Sequence, residues 1–133
     1  MDLNGLNKEQ IKNGLLKFTG AHRRFEYIGE INNHVTIYDD YAHHPTEIRA
    51  TASALKNKTY NKSWVIFQPH TYSRTKNLLH EFAKTLTLFD NIIITDIYAA
   101  REINSFNISS EDLVNEIRKL GKNAHYISDF NDI

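Results

Sequence analysis

The chain has no cysteine, which removes disulfides, thiolate metal sites and cysteine nucleophiles together. Glycine is scarce, with five residues at positions 5, 14, 20, 29 and 121. No two are spaced as G-x-G or as the glycines of G-x-x-x-x-G-K, so neither a dinucleotide fingerprint nor a P-loop is encoded. Any nucleotide chemistry must take its phosphate cradle from elsewhere. Excess charge is also lacking, with 16 Lys+Arg against 16 Asp+Glu. That balance is not the electrostatic footprint of a general nucleic-acid binder, although it leaves a local patch open. The longest apolar runs are four or five residues, far short of a membrane span. Met1-Asp2-Leu3-Asn4-Gly5 lacks the basic start of a secretory signal. The expectation is a soluble, cytoplasmic chain with neither membrane nor nucleic-acid partners.

What is present is enough for one core. The 133 residues are 41% hydrophobic and 24% charged, within the range of a single globular domain. Residues 7–18 place Ile11, Leu15, Leu16 and Phe18 on one face of a short helix ending toward Gly20. Arg24–Ile31 and His34–Tyr38 are β-rich, and Asn32-Asn33 between them suits a hairpin turn. From residue 46 onward helix and strand patterns alternate. Thr46–Lys56, Lys76–Phe89 and Ser110–Leu120 show helical spacing, the last with Ser109 and Asp112 placed for a capping box and Gly121 as its stop. Trp64-Val65-Ile66-Phe67 and Ile92-Ile93-Ile94 read as strands covered on both faces, and Ala124–Ile127 as one more. The fold class predicted is α/β, a mostly parallel sheet flanked by helices with an antiparallel hairpin at its edge.

Ligands of open parallel sheets sit beyond the carboxyl ends of the strands. Three loops are therefore of interest: Asp39–Glu47, Gln68–Thr75 and Thr95–Glu102. They contain both prolines and three of the seven histidines. Pro45 suits the first position of a helix, whose amino end would then offer N–H groups to an anion. Singly, each residue has an ordinary explanation: Asp39 and Asp40 as turn or cap residues, His43-His44 as a polar pair, Arg23-Arg24 and Arg74 as solvated cations, Tyr41, Tyr72 and Tyr98 as packing for loops. Together they define a candidate site with two chemistries open. Asp39, Asp40, His43, His44 and His70 carry oxygen and imidazole groups that suit a divalent metal, as in a phosphoesterase. Arg24, His43, His70 and Arg74 instead suit phosphate and carboxylate, with Asp40 accepting from ribose hydroxyls.

Four segments in these regions resemble the Mur ligase family: Arg23-Arg24-Phe25-Glu26, Asp39-Asp40-Tyr41-Ala42-His43-His44-Pro45-Thr46-Glu47, Phe67-Gln68-Pro69-His70-Thr71-Tyr72-Ser73-Arg74-Thr75 and Asp96-Ile97-Tyr98-Ala99-Ala100-Arg101-Glu102. The branch they resemble joins L-alanine to UDP-N-acetylmuramate in peptidoglycan synthesis, and the likeness runs from about Leu6 to the end. The resemblance implies the Rossmann-like C-terminal domain of an ATP-dependent ligase, with residues 1–20 as the tail of the preceding ATPase domain and 21–133 as a C-terminal domain short of its last helix and strand. It implies partners: ATP, L-alanine, UDP-N-acetylmuramate, and the N-terminal and central domains of the same chain. The P-loop and the Mg²⁺ ligands would lie in that central domain, so no metal site and no catalytic residue is expected here, and the piece alone should be inactive. By the same resemblance Arg24 approaches the nucleotide phosphates, Asp40 holds the ribose and Tyr41 lies beside the nucleoside. His43 and Arg74 lie near the incoming alanine, Arg74 as its carboxylate partner, and His70 shapes that pocket. Thr71 stands where many relatives carry arginine. A ligase that recycles a whole murein tripeptide, a metal-dependent phosphoesterase and a non-catalytic nucleotide-binding module are the alternatives.

Overall fold

The computed structural model describes residues 5–18, 20–32 and 34–133, in two compact units, 1–41 and 42–133. In the first, helix α1 (Lys8–Lys17) begins in a capping box: Gln10 N–H donates to Asn7 Oδ1 at 2.9 Å and Asn7 N–H to Gln10 Oε1 at 2.8 Å. It ends on Phe18, in extended backbone, rather than running to Gly20. Strands β1 (Glu26–Ile31) and β2 (Val35–Asp39) pair antiparallel from Glu26↔Asp39 to Ile31↔Val35, with a bulge between Tyr27 and Gly29. Asn32 takes the positive φ, 53°, that the turn requires, whereas Asn33 lies outside the described residues. The Phe25 and Tyr38 rings stack at 4.4 Å across the hairpin.

The second unit is the α/β body. Helix α2 (Pro45–Leu55) leads to β3 (Trp64–Phe67), α3 (Tyr72–Asn77), α4 (Leu79–Leu86), β4 (Asn91–Ile94), α5 (Ser110–Lys119) and β5 (Ala124–Tyr126). The strands form a parallel sheet in the order β3-β4-β5, with Ile66↔Ile93 and Ile93↔His125 in register. Phe67, Ile92, Ile94 and Ala124 meet Ile48 and Ala52 of α2, Phe82, Ala83 and Leu86 of α4, and Leu113, Val114 and Ile117 of α5 in one core. Fully burying a large apolar side chain stabilises by about 1.5–3 kcal/mol, so these positions hold the unit together.

The α/β class and the parallel sheet are as the sequence predicts, with three refinements. The hairpin forms a two-stranded sheet of its own. The helix expected at Lys76–Phe89 starts earlier, at Tyr72, and is broken at Leu78 (φ −115°, ψ 20°) into α3 and α4. Finally, β3 is covered on one face only: Trp64 is 61% and Ile66 55% exposed. Strands laid down in sequence order with crossovers of one hand put their connecting helices on the same face. The core accordingly takes Phe67 and leaves Trp64 and Ile66 outside. The remaining signals hold. Ser109 and Asp112 form the capping box of α5, and Gly121 (φ 80°) follows its last turn. Among the described residues no helix is long and apolar enough to cross a membrane.

Candidate functional site

In the 42–133 unit the loops after β3 and β4 open on the same edge and are laced together. Tyr98 N–H donates to Pro69 O at 2.8 Å, Thr71 N–H donates to Tyr98 O at 2.9 Å, and His70 and Tyr98 form a parallel bridge beyond the strands. Glu102 then closes over the start of α3. Its carboxylate accepts from Ser73 N–H at 2.8 Å and from the Ser73 hydroxyl. The Ser73 hydroxyl, then the backbone N–H groups, hold the Glu102 carboxyl below the usual carboxylate range. Thr71, the N-cap, sits at φ 68°, a costly conformation for a β-branched residue, of about 1–3 kcal/mol. Its hydroxyl accepts from Arg74 N–H at 3.4 Å, so Thr71 serves as a helix cap.

The two histidines before α2 have different uses. His44 is the N-cap: its Nδ1 accepts from Thr46 N–H at 3.3 Å, and Pro45 occupies the first turn as predicted. The Glu47 carboxylate accepts from His43 N–H at 2.9 Å and His44 N–H at 3.2 Å. The amino end of α2 is therefore filled by the protein's own carboxylate, which corrects the expectation that it lies open to an external anion. His43 turns instead toward His70, with ring centroids 5.8 Å apart, and Tyr98 lies 5.4 Å from His70 on another side. Arg74 Nη1 is 3.4 Å from His70 Nδ1. Burial first, then the Arg74 charge, then His43, push the His70 pKa down, while Glu102 pulls the other way. Among the sequence-predicted residues, His43, His70 and Arg74 are thus brought together.

The 1–41 unit carries the rest. Asp40 is half-buried and accepts from Phe25 N–H at 3.1 Å, bracing the turn that opens β1. Tyr41 N–H donates to Arg23 O at 2.8 Å, and the Arg23 guanidinium lies 4.8 Å from the centre of the Tyr41 ring. Arg23 Nε is also 3.4 Å from the Asp39 carboxylate. Arg23 is therefore tied to its own unit, and Arg24 is exposed beside it. Among the described residues no group of three or more His, Asp or Glu side chains could hold a metal ion. Sequence reasoning missed the roles of Arg23, Glu47, Ser73 and Glu102. Glu47 was signalled by its place three residues beyond a helix cap, but Glu102 acts across 29 residues and left no local pattern.

A sequence model of the family described as "Mur ligase, glutamate ligase domain" matches residues 23–133. The chain belongs to the Mur ligase family. It is 52% identical over 129 residues to a UDP-N-acetylmuramate–L-alanine ligase of Agathobacter rectalis, covering 97% of this chain and 28% of that protein. Among solved structures, a UDP-N-acetylmuramate–alanine ligase from Thermotoga maritima superposes with a TM-score of 0.72 at 29% identity, over 94% of this chain and 26% of that one. A murein peptide ligase from Psychrobacter arcticus shares the fold, with a TM-score of 0.69 at 24% identity, over 96% and 26% of the two chains. This Mur ligase chain spans about a quarter of the length of such relatives. The family membership expected from the four segments is borne out.

Proposed function

We propose that the chain is the C-terminal portion of a ligase that uses ATP to join L-alanine to UDP-N-acetylmuramate, and that it presents the alanine. The Arg74 guanidinium carries this reading. The first turns of α2 and α3 are neutralised by Glu47 and Glu102, so neither is left as an anion cradle. Arg74 hydrogen-bonds an imidazole held toward its neutral form and keeps its positive charge for an incoming anion. A planar guanidinium and a free amino acid's carboxylate match as a paired, charge-assisted set of hydrogen bonds. The identity to proteins named as alanine-adding ligases supports alanine as that amino acid.

Arg24, Asp40 and Tyr41 serve the nucleotide in this reading: Arg24 toward phosphates, Asp40 toward the ribose and Tyr41 beside the nucleoside. The P-loop and the Mg²⁺ ligands belong to the central domain of the same longer protein. ATP activates the lactyl carboxylate there as an acyl phosphate, and the alanine amine displaces phosphate to form the amide. No residue of this chain need form a covalent bond. Its contribution is orientation and charge placement after domain closure. Residues 1–20 are the connecting tail, 21–133 the domain, and the location cytoplasmic.

Phosphate release by the longer protein should depend on ATP, UDP-N-acetylmuramate and L-alanine together, and the 133-residue chain alone should release none. Activity with the murein tripeptide but not with alanine would instead assign the recycling reaction.

A further inference from the structure

Arg74 reaches back over the start of α3, placing Nη1 3.4 Å from His70 Nδ1. A guanidinium has donors only and stays charged, so Nδ1 must be the acceptor. It can accept only while unprotonated, which puts the single ring proton on Nε2. The surroundings of the ring favour that state. His43 faces it from the segment before α2, Arg74 from α3, and Tyr98 and Glu102 from the loop after β4. Of these only Glu102 favours an imidazolium, and its carboxylate is already engaged by Ser73. The His70 backbone is held by its bridge to Tyr98, which makes the ring a fixed post for a flexible side chain.

We propose that His70 is a positioning residue: it aims the Arg74 guanidinium at the amino-acid carboxylate through the Nδ1 hydrogen bond. This rests on the reading of Arg74 given above. Acidification would protonate Nδ1, set donor against donor, and release Arg74 from its aim.

Two measurements test it. In ¹⁵N-histidine spectra of this chain, His70 should be the Nε2–H tautomer and titrate below 6.5, moving back toward that value in Arg74→Ala. An Nδ1–H tautomer at neutral pH, or a His70 titration indifferent to Arg74→Ala, overturns the proposal. In the longer ligase, His70→Ala should raise the alanine KM about two- to tenfold, the worth of an ordinary hydrogen bond, with kcat and the ATP KM nearly unchanged. His70→Asn, whose amide oxygen can stand where Nδ1 stood, should recover most of the loss and flatten the rise of the alanine KM between pH 7 and 5.5. Equal losses in the Ala and Asn variants overturn the proposal. If the spectra are as expected but Arg74→Ala leaves the alanine KM unmoved, the assignment of Arg74 fails while its coupling to His70 stands.

Discussion

Two helices of this chain carry the same device at their amino ends and differ in everything that follows. Both α1 and α5 are ten residues long and begin in a reciprocal capping box. Helix α5 buries Ser110, Leu113, Val114 and Ile117, whereas α1 buries nothing, and its Leu15 and Leu16 are 70% and 74% exposed. Capping decides where a helix begins. Burial decides what the helix contributes to the fold, because isolated helices of this length are marginal in water. The same contrast separates the hairpin, where Tyr27, Ile28, Ile31 and Val35 are exposed, from the parallel sheet, where Ile92 and Ile94 are fully buried.

The sharpest way to break this contrast is to truncate one leucine in each helix. Leu113→Ala should cost about 2–5 kcal/mol of unfolding free energy in denaturant titration. Leu16→Ala should fall within about 0.5 kcal/mol of the parent, as exposed substitutions do. Comparable losses would mean that α1 is part of the cooperative core. The caps give a smaller, finer test. Ser109→Ala should lower global stability by about 1 kcal/mol, while Asn7→Ala should reduce helical circular dichroism and leave the global transition within about 0.5 kcal/mol. The stop of α5 tests backbone conformation alone: Gly121→Ala meets no atom within 4 Å at its new Cβ, so its cost comes from the φ of 80°, about 1–2 kcal/mol.

What the sequence makes legible follows the range of the interactions involved. The Ser109–Asp112 box, Pro45 at a helix start, the hairpin at Asn32 and the buried Ile92–Ile94 strand are set by neighbours a few residues apart, and each is found where expected. The exposed face of β3 was hidden because coverage depends on strand order, which pattern alone does not fix. The break at Leu78 was hidden because Leu78, Leu79, Phe82 and Leu86 keep helical spacing through it. In the site, the cluster of His43, His70 and Arg74 was legible as polar residues at predicted strand ends. The division of labour within it was not. His44 is an unusual N-cap, and Glu102 reaches α3 from another loop. Only the folded geometry shows a carboxylate at each of these helix starts, Glu47 before α2 and Glu102 over α3.

The proposed function separates two roles, with Arg74 for the amino acid and Asp40 for the nucleotide. The direct measurement is a pair of titrations, L-alanine and ATP, on Arg74→Ala and Asp40→Asn in the longer ligase. A hydrogen bond to a charged group is worth about 1.5–3 kcal/mol, so Arg74→Ala should raise the alanine KM about ten- to a hundredfold and leave the ATP KM within about twofold. Arg74→Lys should restore only part, and Asp40→Asn should act on ATP. An Arg74→Ala variant that weakens ATP binding and leaves alanine untouched would contradict that separation of roles.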